Sequence, residues 1–208
     1  MKKYFRFFAI AAIALGMTMA VSCKKDEEEN GGNGNGGSNT ENLPTTLSEN
    51  FDNSGLPSGW IAIDADGDGD TWMNTIDLLQ SGYGHESAGC AMSKSYDNNV
   101  GELTPDNYLV SPKIYIDGTK LTWFVAAQDA SYPNEHYSVE IGTVNNGTFT
   151  SKAVIFEETF SGYSKAQSSW FQRTVDLSAY NGQSVQIAFR HYDCTDNYFL
   201  LIDDVKVQ

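Results

Sequence analysis

The sequence is poor in cysteine, histidine and basic residues, and each shortage removes a class of proteins. Three cysteines in 208 residues cannot form the disulfide framework of a small stapled fold, so stability must come from an apolar core. Three histidines, His85, His136 and His191, stand far apart along the chain. His85 lies in a glycine-rich stretch; the other two begin or end apolar alternations, where a hydrogen-bonded structural histidine is the commoner role. No H-E-x-x-H, G-x-S-x-G or phosphate-loop pattern occurs. Paired carboxylates exist, but they suit metal binding better than glycosidase acid/base chemistry. The expectation is a chain that is not an enzyme. Lys and Arg number 13 against 27 Asp and Glu, and so acidic a surface repels phosphate backbones, which excludes nucleic acid as a partner. Helical stripes are also missing: after residue 22 no window of 12 or more residues keeps a 3.6-residue apolar period.

What is present begins at the N-terminus. Lys2, Lys3 and Arg6 precede an uncharged run, Phe7 to Val21, of 15 residues. That is short of the roughly 20 needed to span a bilayer and suits a signal peptide over residues 1–22. Ala20-Val21-Ser22-Cys23 resembles a bacterial lipobox, which makes Cys23 the expected lipidation site; the alternative is an ordinary cleaved signal. Lys24-Lys25-Asp26-Glu27-Glu28-Glu29 resembles the acidic signal of lipoproteins facing outward from the outer membrane, and equally reads as a solvated charge run. Removing residues 1–22 leaves 10 basic and 27 acidic residues, a net charge of −17. Residues 23–42 are expected to be a lipidated, flexible Gly/Asn-rich acidic tether, and residues 43–208 one globular domain.

Within that domain the apolar period is two. Leu121-Thr-Trp123-Phe-Val125-Ala-Ala127, Tyr137-Ser-Val139-Glu-Ile141 and Val185-Gln-Ile187-Ala-Phe189-Arg-His191 alternate, and Tyr108–Val110, Ala153–Phe156, Phe171–Val175 and Phe199–Val207 add further strands. Asp117-Gly118, Asn145-Asn-Gly147 and Asn181-Gly182 punctuate them as turns. Regular strands with 12% aromatics predict an all-β, antiparallel β-sandwich.

The acids carry most information. Strict alternation places Phe199, Leu201, Asp203, Val205 and Val207 on one strand face, and Leu47, Glu49 and Phe51 on another. A carboxylate on an apolar face needs a partner, and the nearest in-strand base, Arg190, alternates away from Phe189 and His191. Calcium, which takes 6–8 oxygens, is one such partner. Glu49, Asp52, Asp203 and Asp204 are therefore a candidate first site, if the first and last strands are neighbours; frayed strand ends in water are the alternative. Asp64, Asp66, Asp68 and Gly69 fit positions 1, 3, 5 and 6 of an EF-hand loop, but position 12 is Thr75, so this is not an EF-hand. These aspartates are a candidate second site, or an Asp/Gly turn. Asp129 and Glu135 are expected to supply oxygens to either site or to cap their own loop.

Glu49-Asn-Phe-Asp52, Gly59-Trp60, Asp64 to Asp70, Thr104-Pro-Asp-Asn-Tyr-Leu-Val-Ser-Pro112, Ala127-Gln-Asp-Ala130, Glu135-His-Tyr137, Ala188-Phe-Arg-His191 and Ile202-Asp-Asp-Val205 together resemble, in order, the cleaved-adhesin domains of gingipain-type hemagglutinins. The resemblance spans roughly residues 48–207. It implies a jelly-roll β-sandwich of the carbohydrate-module, MAM-like and galactose-binding-like kind, structural calcium at the acids already named, and a role in adhesion. Unlike gingipains, the chain is expected to be one domain on a lipid anchor, without a protease domain or tandem adhesin array, so hemagglutination, which benefits from multivalency, is not the expected role.

Three functions follow as expectations: a surface adhesin binding a host or bacterial glycan or protein, an envelope-assembly lipoprotein without a soluble ligand, and an accessory module to a secreted hydrolase. For the first, Tyr83, Tyr132 and Tyr163 are candidate contact aromatics. Cys90 and Cys194 either pair or stay free; the apolar setting of Cys90 in Gly89-Cys-Ala-Met92 favours free thiols.

Overall fold

The computed structural model describes residues 42–79, 82–118, 120–160 and 169–208. The expected signal segment, Cys23, most of the tether and Tyr163 lie outside them. The described strands are β1 (Leu47–Glu49), β2 (Ile61–Asp64), β3 (Met73–Asn74), β4 (Ala91–Lys94), β5 (Tyr96–Asp97), β6 (Gly101–Glu102), β7 (Asn107–Val110), β8 (Ile114–Tyr115), β9 (Lys120–Ala127), β10 (His136–Asn145), β11 (Thr148–Thr159), β12 (Phe171–Asp176), β13 (Ser184–His191) and β14 (Phe199–Val207). One short helix, α1 (Thr75–Leu79), follows β3; its 5 residues are too few to show a helical period in sequence.

Two antiparallel sheets form a jelly-roll sandwich. One runs β12-β9-β14-β4-β3, with β1 added beside β14; the other runs β11-β10-β13-β7-β2, with β8 added beside β13. The alternating segments are the central strands. Leu121, Trp123 and Val125 of β9 and Val185, Ile187 and Phe189 of β13 are buried in one core between the sheets. Trp123 crosses the gap: its ring meets Phe189 edge-on at 5.7 Å, and its Nε1–H donates to Tyr137 Oη at 3.1 Å. Partnering the indole N–H this way removes the cost of burying it. The β10–β11 hairpin turns at Asn146 and Gly147, with φ of 50° and 80°, the left-handed pair that a two-residue hairpin turn requires.

In β14 the structure departs from strict alternation. Leu200, Ile202, Val205 and Val207 point into the main core. Phe199 and Leu201 instead join Cys90, Met92 and Ala126 in a smaller apolar cluster, covered by Leu79 and Trp170. Phe199, Leu201, Asp203, Val205 and Val207 therefore do not share one face. Pairing with β9 slips between Asp203 and Lys206, and Asp204 takes a φ of 47°. A bulge of this kind inserts a residue and inverts the alternation beyond it. Asp203 thus belongs with Phe199 and Leu201, while Val205 and Val207 face the opposite way.

Candidate cation and ligand sites

β1 does lie beside β14, with Glu49 opposite Val205. The four acids of the first candidate site are consequently near one end of one sheet, but each has its own hydrogen-bonding partners. Asp203 is fully buried. Its carboxylate accepts from the backbone N–H of His85 at 2.8 Å, from Asp204 N–H at 2.6 Å and from Ser87 Oγ at 3.3 Å. Among the described residues, no cation pairs with it. Burial pushes its pKa up to about 7, despite these donors. Asp204 turns outward to His85 Nδ1 at 2.9 Å and Lys206 Nζ at 3.0 Å. Burial opposes its charge, and these two partners outweigh burial to hold its carboxyl below the usual range. Asp52 accepts from Ala88 N–H at 2.9 Å and Asn50 Nδ2 at 2.6 Å. Glu49 Oε1 accepts from the N–H groups of Asn50 and Phe51, both at 3.1 Å.

Segment 84–89, to which sequence reasoning assigned no role, joins Asp52, Asp203 and Asp204. Its amides reach Asp203 at one end and Asp52 at the other, and the His85 ring stacks on Phe124 with centroids 3.6 Å apart. The two glycines are steric requirements: a Cβ on Gly84 would collide with the Gly89 carbonyl, and one on Gly89 would press on Asn74 and Ile76. Phe51, Glu86 and Asp204 all have positive φ here, of 49°, 55° and 47°. Left-handed backbone at bulky residues costs of order 1–3 kcal/mol each and persists where surrounding contacts over-determine it.

Asp64, Asp66 and Asp68 come together: one carboxylate oxygen from each lies within 4.8 Å of the others. Asp64 also organises the loop, accepting from Gly67 N–H at 2.6 Å and Gly69 N–H at 2.9 Å. Those two amides, Gly69 first, hold its carboxyl below the usual range, whereas partial burial raises that of Asp66. Asp129 and Glu135 are not part of this group. Asp129 caps its own loop by accepting from Ser131 N–H at 2.7 Å. Glu135 is fully buried elsewhere, against Ser95, Tyr198 and His191. Both acid sets offer oxygen alone, the donor type calcium takes; the second is gathered already, and three of the first are spread along segment 84–89.

Asp129 instead borders an open cleft of about 470 Å³, lined by Tyr96, Asn98, Gln128, Asp129, Tyr132, Asp196, Asn197 and Tyr198. Tyr132 is 56% exposed, as a contact aromatic should be. Tyr83 is half-buried, and its carbonyl accepts from the Cys90 thiol at 3.3 Å. Tyr198 stacks on Phe199, centroids 3.8 Å apart, and its hydroxyl accepts from Asn98 Nδ2 at 3.1 Å. The cleft unites three loops separated by up to 100 residues, which a single sequence does not show. Cys90 and Cys194 are both free thiols.

The family model of the Cleaved Adhesin Domain matches residues 44–207. Hemagglutinin A of Porphyromonas gingivalis is 40% identical over 177 residues, covering 79% of this chain and 7% of that protein. Gingipain R1 of the same species is 40% identical over 179 residues, covering 79% of this chain and 10% of that protein. The chain therefore spans about a tenth or less of the length of these curated relatives. Among solved structures, the K1 Cleaved Adhesin domain of Lys-gingipain from Porphyromonas gingivalis W83 superposes with a TM-score of 0.67. It is 41% identical, and the match covers 79% of this chain and 98% of that one. The globular part of the chain belongs to the Cleaved Adhesin Domain family.

Proposed function

We propose that the domain is a non-catalytic adhesion module that binds glycan in the tyrosine-lined cleft. The observation that carries this reading is the composition of that cleft. Three tyrosines offer apolar ring faces for the C–H faces of a sugar. Two Asp, two Asn and one Gln offer donors and acceptors for its hydroxyls. Membership of an adhesin family supports it. In this reading the chain is a lipoprotein held at Cys23 on the outer membrane, facing outward, and its domain is stabilised by calcium. Glu49, Asp52, Asp203 and Asp204 serve one ion and Asp64, Asp66 and Asp68 a second. Removing Cys23 should then release the chain from membranes, and protease should strip the domain from intact cells.

The test is a glycan array probed with the whole chain in calcium, alongside Tyr132→Ala. Binding of a glycan class by the wild type, weakened in the variant without a change in melting temperature, supports the cleft. Binding that Tyr132→Ala leaves intact, or capture of proteins with no glycan bound, overturns it.

A further inference from the structure

A second polar cluster lies beneath the cleft, and none of the adhesin reading uses it. Glu135 just precedes β10, His191 ends β13, and Cys194 sits in the turn after β13. His191 and Glu135 are both fully buried. Glu135 Oε2 lies 3.0 Å from His191 Nε2, His191 Nε2 lies 3.1 Å from Cys194 Sγ, and Cys194 Sγ lies 3.5 Å from Glu135 Oε2. Three different ligand atoms thus form one small triangle. A tetrahedral zinc ion with bonds of about 2.0–2.1 Å to N and O and about 2.3 Å to S would hold such atoms about 3.3–3.6 Å apart. The observed edges of 3.0, 3.1 and 3.5 Å are shorter than that by about half an ångström or less.

The atoms behind the triangle are also arranged as a metal site requires. His191 Nδ1 is 2.8 Å from Ser93 Oγ on the opposite sheet, and Asn107 Nδ2 donates to the same hydroxyl at 3.2 Å. The other carboxylate oxygen of Glu135 accepts from Ser95 Oγ at 3.0 Å and Tyr198 N–H at 2.9 Å. Each of these two ligands is therefore oriented through the atom that does not face the triangle, the outer-shell pattern of ligating His and carboxylate. A nucleophilic role for the cysteine does not fit. Burial, and then the Glu135 charge, push its thiol pKa up, the reverse of an activated thiol.

We propose that Glu135, His191 and Cys194 bind one zinc ion. A sulfur, a nitrogen and a single carboxylate oxygen suit zinc and not calcium, which selects oxygen alone. Without metal, Nε2–H donates to Glu135 and the Ser93 hydroxyl donates to Nδ1. On binding, the imidazole proton moves to Nδ1 and points at Ser93 Oγ, freeing the Nε2 lone pair. The thiol loses its proton to solvent. Carboxylate, thiolate and Zn²⁺ then sum to zero charge, so a buried anion becomes a neutral complex, with one proton released per ion. The ion would tie the turn at Cys194 to strands of the sandwich. That turn continues through Asp196, Asn197 and Tyr198 into the wall of the cleft, so occupancy would stiffen the wall.

The test uses the whole chain with calcium in excess and cobalt(II) as a spectroscopic stand-in for zinc. One equivalent of cobalt giving a thiolate-to-cobalt charge-transfer band, bleached by one equivalent of zinc, is the expected result. Cys194→Ser should lose the band, whereas Cys90→Ala and Cys23→Ser should keep it. Ser93→Ala keeps all three ligands but frees the imidazole, and should weaken zinc by about 10–100-fold. Absence of the band in wild type, or its persistence in Cys194→Ser, overturns the site. So does a zinc affinity unchanged by Ser93→Ala in protein that retains its wild-type melting temperature.

Discussion

Asp203 and Glu135 present the same physical problem and solve it differently. Both are fully buried carboxylates, and both anchor a loop that packs over a sheet. Asp203 is met by two backbone N–H groups and one serine hydroxyl. Glu135 is met by a hydroxyl, a backbone N–H, an imidazole and a thiol. The strain differs as well. Left-handed backbone near Asp203 falls on Phe51 and Glu86 besides Asp204; near Glu135 it falls on Asp193 and Asp196, and aspartate tolerates such angles where phenylalanine and glutamate do not. Burial alone does not say which cation, if any, a carboxylate would take. The chemistry of its neighbours does, and here it separates an oxygen-only donor set from a mixed one.

Breaking the Glu135 side should have the largest effect. Glu135→Ala removes the shared acceptor of Ser95, Tyr198, His191 and Cys194, and should cost about 1–3 kcal/mol for each buried donor left unpaired. Urea unfolding of the variant measures it. Glu135→Gln keeps the shape and should cost less. Equal losses in the two variants would mean that the carboxylate, not packing, matters at this position.

Breaking the Asp203 side should show itself through calcium. A ligand specific for the native state adds about 2.7 kcal/mol at 100 Kd, roughly 5–11 °C in melting temperature for a domain of this size. Asp203→Asn should erase much of that gain, and Glu49→Gln should do likewise if both serve one ion. Melting curves that do not differ between calcium and chelator in the wild type would remove the calcium reading. In chelator the sign with pH is also fixed. The native carboxyl keeps its proton up to about pH 7, against 3.8 for the free group. Its contribution to stability is therefore fully present below about pH 4 and is lost as pH rises to about 7. Asp203→Asn should gain on the wild type across that window and hold a constant difference above it. A difference that does not vary between pH 5 and pH 8 would contradict the raised pKa.

How much of this was readable in sequence depended on distance along the chain. The sandwich was legible because alternation is local: Leu121 to Ala127 and Val185 to His191 carry their burial pattern in their own residues. The pairing of β1 with β14 and the gathering of Asp64, Asp66 and Asp68 followed from order and short spacing. The face of Asp203 was misread because a bulge at Asp204 leaves no mark in a residue pattern that still alternates. His191 looked like an isolated structural histidine because its partners Ser93 and Glu135 lie 98 and 56 positions away. The role of segment 84–89 was hidden for another reason. It acts through backbone N–H groups, which every residue but proline has and no sequence pattern distinguishes.

The exposed aspartate loop gives the smallest effect and the sharpest contrast with both buried sites. Asp66 and Asp68 are exposed, and the loop's shape rests on the bonds from Gly67 and Gly69 to Asp64. Asp68 holds one loop amide, Asp70 N–H at 2.7 Å, through a single oxygen that asparagine keeps, so Asp66→Asn and Asp68→Asn should each change stability in chelator by no more than about 0.5 kcal/mol, as surface substitutions usually do. Each nevertheless removes one of three charges from a gathered oxygen cluster. A calcium titration should therefore lose one of its two binding phases in these variants, while the stabilisation that depends on Asp203 stays. Asp64→Asn differs, because it exchanges one acceptor of a loop amide for a donor, and it should lower the melting temperature even in chelator. If all three variants behave alike, the aspartates act as one turn and not as a turn with two ligands added. If Asp66→Asn also abolishes the Asp203-dependent gain, the two oxygen sites are one.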